Sequence, residues 1–173
     1  SSVAHVGYLI IAIIAKNSLS SSSLMFYMLT YAFMVFGIFS IVILLGRKGE
    51  ENLELENYSG LAYKHPVIAL TMTIFLLSLG GLPPLAGFVA KFYIFSAALK
   101  EGYLILVIIA VLNSAISFYY YLKVIVFMYM KEPIKEFHIN LTPMTLVVIA
   151  IAAFGTIQLG IFPDPIIALA EAN

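Results

Sequence analysis

Apolar runs of near-membrane length, parted by short polar patches, set the pattern of this chain. The first run covers about residues 1–16 and is short for a full crossing. Lys16, Asn17 and the serine-rich stretch that ends at Ser23 read as a polar turn. A second run, 24–46, is long enough to cross. The segment from Arg47 to Lys64 holds Arg47, Lys48, Glu50, Glu51, Glu54 and Glu56, and it reads as a solvated loop. The third run, 66–99, is apolar throughout but broken at 80–84 by Gly80, Gly81, Leu82, Pro83 and Pro84. An unbroken helix of that length would reach about 50 Å, and two crossings would need about 20 residues each plus a turn. The pattern predicts one crossing by a broken helix. A fourth run, 103–130, and a fifth, 142–162, flank a polar loop at 131–141. Thr142 and Pro143 predict a helix start, a capping hydroxyl followed by proline at the first helical position. Pro163 and Pro165 predict its end. No internal repeat or domain boundary interrupts this series, so 1–173 reads as a single membrane domain.

Composition turns the pattern into a class. The chain is 62% hydrophobic and 10% charged, with a mean hydropathy of +1.05. Soluble domains carry about 25% charged residues. The fold class is therefore an all-α polytopic membrane protein with about five transmembrane helices, one of them broken. Acidic and basic residues balance at a net charge of +0, which argues against nucleic acid as a partner. There is no Cys, which excludes thiolate iron–sulfur or zinc sites and catalytic thiols on this chain. No nucleotide-binding glycine loop and no paired histidines for haem or metal are visible either. Lysine and arginine in the connections give orientation. Arg47, Lys48, Lys64, Lys131 and Lys135 lie on one side, and Lys16 and Lys100 on the other. That asymmetry puts the 47–65 and 131–141 loops in the cytoplasm of a bacterial cell, with the chain in the inner membrane. Ser1 and Ser2 carry neither an initiator Met nor a basic leader, so the expectation is a chain whose N-terminal part is missing.

Ionisable groups inside the spans are the candidates for chemistry, because each is costly there; a lysine at mid-helix costs about 3 kcal/mol to insert. Lys91 follows the break directly and is about 13 Å along a helix from Lys100. At that depth snorkelling to the interface is strained. Burial disfavours the charged ammonium, so such a lysine can load and unload a proton near neutrality. Non-helical backbone at membrane depth is tolerated only inside protein or beside water, so the break predicts local hydration next to Lys91. His5 lies in a polar patch with Ser1 and Ser2; it reads equally as a proton relay or as a hydrogen-bonded packing residue. Lys123 follows Tyr119, Tyr120 and Tyr121; it reads equally as a relay or as a snorkelling lysine beside an interfacial tyrosine belt. Asn113, Ser114 and Ser117 could line a water path, although small polar residues more often serve helix packing. All nine acids fall in loops or near span ends. A carboxylate partner for Lys91 is therefore expected from elsewhere in the protein or from another subunit.

Three stretches carry a family resemblance: Ser1-Ser2-Val3-Ala4-His5-Val6-Gly7-Tyr8, Leu77 to Phe92 around the break, and Ser117-Phe118-Tyr119-Tyr120-Tyr121-Leu122-Lys123. They resemble the antiporter-like membrane subunits of respiratory complex I, the NADH–quinone oxidoreductase. Among these they are most similar to the subunit N family, which is similar to mitochondrial subunit 2. The resemblance covers essentially the whole chain. It implies a fold of fourteen transmembrane helices with two inverted five-helix repeats, of which this chain would supply the last five. It also implies a place in redox-driven proton translocation, with Lys91 in a chain of protonatable groups; Lys123 and His5 remain relay candidates on the reading of the residues alone. NADH, FMN, iron–sulfur clusters and quinone would be bound by other subunits, leaving no cofactor on this chain. The partners would be the other membrane-arm subunits and the lipid bilayer. Two alternatives stand beside it. One is a subunit of an Mrp-type cation/proton antiporter, and the other is a structural membrane subunit with a static buried lysine.

Overall fold

The computed structural model describes residues 1–46, 54–134 and 142–163. Seven α-helices form among these residues: α1 (Ser2–Ala15), α2 (Ser18–Leu45), α3 (Leu61–Lys64), α4 (Pro66–Gly80), α5 (Ala86–Lys100), α6 (Leu104–Met130) and α7 (Pro143–Ile161). A single 3-10 turn, Leu55–Tyr58, precedes α3. All five predicted runs appear as helices. Among the described residues α2, α6 and α7 are each long and apolar enough to cross a membrane. The predicted positions Arg47, Lys48, Glu50, Glu51, Lys135 and Pro165 lie outside the described residues.

One boundary differs from the sequence reading. The serine-rich stretch is not a turn but the first turns of α2, which begins at Ser18. Asn17 caps it: its side chain accepts from the Ser20 amide at 2.8 Å, and Ser20 Oγ accepts from the Asn17 amide at 3.0 Å. That reciprocal pair satisfies two of the amides a helix start leaves free. The following hydroxyls turn inward onto their own helix. Ser22 donates to Ser18 O at 3.2 Å and Ser23 to Leu19 O at 2.5 Å. A serine whose hydroxyl bonds back to the previous turn adds no unpaired polar group, so it can sit in a buried helix. At the other end of the chain Thr142 caps α7 by accepting from the Thr145 amide, with Pro143 first in the helix, as predicted.

The segment read as a broken helix forms two helices, α4 and α5, parted at 81–85. The Gly60 amide donates to Phe127 O at 3.1 Å, which sets the start of α3, the short helix that leads into α4, beside the end of α6. The Tyr103 amide donates to Ala98 O at 3.1 Å, which ties the end of α5 to the start of α6. Together α4 and α5 therefore run the full length of α6, about 40 Å. Each half belongs to a different apolar cluster. Ala90 and Ile94 of α5 pack with Tyr8 and Ile11 of α1 and Phe26 of α2. Phe75 and Leu79 of α4 pack with Met34 and Ile41 of α2, Met128 of α6 and Ala152 of α7. The break lies where the two clusters meet.

Candidate functional site

A helix end leaves its last four carbonyls without partners. At α4 these are Leu77, Ser78, Leu79 and Gly80, and each finds one. The Leu82 amide bonds Leu77 O at 3.0 Å, and the Gly81 amide bonds Ser78 O at 2.9 Å. This is the Schellman closure, and it requires a left-handed residue at the turn. Gly81 supplies it with φ of 90°. The two remaining carbonyls go to the lysine. Lys91 Nζ donates to Leu79 O at 2.8 Å and to Gly80 O at 3.1 Å, and its third bond, 2.8 Å, goes to Ser114 Oγ of α6. An ammonium has three protons to give, and all three are placed on neutral oxygens. The carbonyl end of a helix also carries partial negative charge, which favours a cation there. Lys91 is 4% exposed.

Close packing holds this geometry. The Gly87 amide donates to Ser78 Oγ at 3.0 Å, so α4 caps the start of α5. A Cβ at Gly87 would lie 1.8 Å from Ser78 O, and one at Gly160 of α7 would lie 2.2 Å from Pro84 O. Glycine is required at both positions to let backbone meet backbone.

The protein's own groups meet the carbonyls that the break frees. A cavity of about 560 Å³ does open next to Lys91, between α5 and α6. Its wall is mostly apolar, with Phe88, Phe92, Val111 and Phe118, and Ser96 and Ser114 interrupt it.

His5 stands close to the same site. It is 2% exposed. Its Nδ1 lies 2.6 Å from the Tyr27 hydroxyl and its Nε2 3.2 Å from the Tyr121 hydroxyl. Tyr31 stacks on the ring at 4.8 Å between centroids. The Ser1 hydroxyl also bonds that of Tyr121. Tyr8 joins the two centres: its ring meets His5 edge-on at 5.8 Å, and Lys91 Nζ lies 5.2 Å from its centroid. The structure thus brings Lys91 and His5 into one buried polar assembly. Lys123 is not part of it, being exposed on α6. Tyr121 is not a belt residue either: it is buried at the assembly, while Tyr119 faces outward. Sequence reading missed Tyr27 and Tyr31. Their spacing of four residues on α2, with Tyr8 three residues after His5, is the signal that places their rings together.

Comparison with known proteins gives the family and the fold. A family of transmembrane proteins described as "NADH:quinone oxidoreductase/Mrp antiporter" matches residues 1–117. The chain belongs to this family. It is 45% identical over 172 residues to NADH-quinone oxidoreductase subunit N of Trichlorobacter lovleyi, covering 99% of this chain and 35% of that protein. Subunit N 2 of Rhizobium meliloti is 42% identical over 174 residues, covering 100% of this chain and 36% of the relative. The chain thus spans about a third of the length of these curated relatives. A chain of respiratory complex I from Thermus thermophilus superposes with a TM-score of 0.84 at 29% identity, over 95% of this chain and 37% of that one. A chain of the Mrp complex from Dietzia sp. DQ12-45-1b shares the fold, with a TM-score of 0.75 at 20% identity, over 96% of this chain and 39% of that one. The all-helical fold is that of the complex I membrane subunits.

Proposed function

We propose that the chain acts as part of a proton-translocating, subunit N-type membrane subunit of a bacterial NADH–quinone oxidoreductase, with Lys91 as the group that holds and passes the proton. The observation that carries this is the cradle at the end of α4. Lys91 is held by Leu79 O, Gly80 O and Ser114 Oγ, and none of the three is a carboxylate. A carboxylate partner would lock the charge in place, because opposite charges at short range strongly favour the ionised pair. Neutral oxygens hold the ammonium less firmly, so a change of charge nearby can tip it. Quinone reduction elsewhere in the complex supplies that change, and Lys91 releases its proton towards the outer side. His5, joined to Lys91 through Tyr8, is the second relay group. Lys123, exposed on α6, takes part only through a group that a neighbouring subunit brings against it.

In this reading the protein lies in the bacterial inner membrane with the 47–65 and 131–141 loops in the cytoplasm. Its partners are the other membrane-arm subunits and lipid. NADH, FMN, iron–sulfur clusters and quinone are held by those other subunits. The family description also names Mrp antiporters, which keeps cation/proton exchange as a second reading.

The test is Lys91→Ala in the intact subunit, assayed in inverted membrane vesicles. The expected result is an assembled complex that oxidises NADH while proton uptake falls at least tenfold. Unchanged proton uptake removes the role assigned to Lys91. Sodium/proton exchange in vesicles without NADH oxidation would favour the antiporter reading instead.

A further inference from the structure

Besides its three oxygens, the Lys91 ammonium meets an aromatic ring. Nζ bonds Leu79 O, Gly80 O and Ser114 Oγ, and it stands over the ring of Tyr8, 5.2 Å from the centroid. A cation within about 6 Å of an aromatic centroid is drawn to the ring face, and the attraction grows where water is excluded. Both partners are buried here, Lys91 at 4% exposure and Tyr8 at 3%.

The ring is held so that its face stays there. Tyr8 packs in T-shaped pairs with His5, Tyr27 and Phe95, at 5.8, 6.4 and 5.7 Å between centroids. These neighbours come from α1, α2 and α5. Aromatic pairs of this kind prefer particular angles, so three of them from three helices fix the plane of the Tyr8 ring. Phe95 also lies four residues after Lys91 on α5, so the two share a face of that helix and meet the ring together.

Oxygens and ring respond differently when the lysine loses its proton. A neutral amine keeps two protons and gains a lone pair, so it can still bond the hydroxyl and carbonyl oxygens around it. The ring's attraction is for the charge itself and goes with it. We propose that Tyr8 is a positioning residue for the charged state of Lys91. Its ring face holds the ammonium in the cradle while the proton is on, and releases its hold when the proton leaves. The ring, not the hydroxyl, carries this role.

This inference rests on the proton-carrying role proposed for Lys91, and its test separates the two. Phenylalanine and its ring-fluorinated forms, with one, two and three fluorines, are placed at position 8 of the intact subunit. Fluorine leaves the shape of the ring nearly unchanged and draws charge from its face, so each added atom weakens the hold on a cation. Proton uptake in inverted vesicles is taken relative to Tyr8→Phe, in complexes that assemble and oxidise NADH. It should fall with each fluorine, to about a tenth with three, the scale of a desolvated cation–π contact. The fall reflects a lysine that keeps its proton for less of each cycle. Tyr8→Leu, which fills the space without a ring face, should lose at least as much. Equal uptake across the series, with uptake lost in Lys91→Ala, overturns this inference alone. A loss that is the same for one fluorine as for three also overturns it, since packing would then be the cause. So does uptake in Tyr8→Leu at the level of Tyr8→Phe. Unchanged uptake in Lys91→Ala removes the underlying reading, and this inference with it.

Discussion

Two lysines on adjacent helices meet opposite fates. Lys91 is buried at the break between α4 and α5, and Lys123 is exposed on the unbroken α6. Neither stands beside an acid in its own helix. What separates them is the backbone nearby. Inside α6 each carbonyl is already bonded to the amide four residues on, so burying a charged side chain there would rest on second, weaker bonds to those carbonyls. At the end of α4 four carbonyls are released, two close the turn, and two are left for Lys91. A break in an apolar helix is thus a source of acceptors, and among the described residues it meets a buried cation with neutral oxygens. Non-helical backbone at this depth survives only where such bonds are made.

If that is the device, it fails when the two half-helices are pushed apart. Gly87→Ala is the largest expected effect. The added carbon would meet Ser78 O at 1.8 Å, and backbone cannot yield as a flexible side chain can. The same shift would lengthen the Gly87–Ser78 bond and carry Lys91 away from Leu79 O and Gly80 O. We expect a cost of about 3 kcal/mol, at the upper end for overpacking, seen as a marked loss of assembled complex on native gels. Assembly at wild-type levels would mean that the halves can slide without loss, and that the cradle is not fixed by this contact.

Much of this was legible in the sequence, and what was not has physical causes. The five apolar runs, the break and the Thr142-Pro143 start follow from hydropathy and from proline and glycine, whose effects are local. Lys91 was legible because a lone charge in an apolar run is costly wherever it points. Its partners were not, because Leu79 O and Gly80 O are backbone atoms and carry no letter in the sequence. The start of α2 was misread because serine looks polar until its hydroxyl is seen to bond the previous turn, as in Ser22 and Ser23. Tyr121 was read with Tyr119 and Tyr120 as a belt. Three successive helical positions point about 100° apart, and only the tertiary packing decides which one faces inward.

Asn17 offers a milder form of the same comparison. Its side chain caps α2 and also donates to Ala97 O in the last turn of α5, at 3.0 Å. Here too a side chain takes a carbonyl near a helix end. The donor is neutral, however, and Glu101 bonds the same amide group from an exposed position. Water can replace what is lost. Asn17→Ala should therefore cost about 1 kcal/mol, the usual scale for a lost N-cap. A small drop in the thermal midpoint of the detergent-solubilised complex would register it, with proton uptake kept. A loss as large as that of Gly87→Ala would show that water does not reach this end of the bundle.

Lys123→Ala is the smallest expected effect and the one that bears most directly on the contrast between the lysines. Lys123 lies within the unbroken length of α6, away from the carbonyls that a helix end releases. Its long stem can carry the charge along the helix surface, with Lys131 about 12 Å further on. Surface substitutions away from caps, cores and ion networks usually change stability by less than about 0.5 kcal/mol. Assembly and proton uptake should then stay within about twofold of wild type in the same vesicle assay that reads Lys91→Ala. A tenfold loss of uptake with assembly intact would reverse the conclusion. Lys123 would then have to meet its partner outside this chain, on a neighbouring subunit. In that case an unbroken helix would carry a working lysine by borrowing acceptors across an interface, where the broken one makes its own.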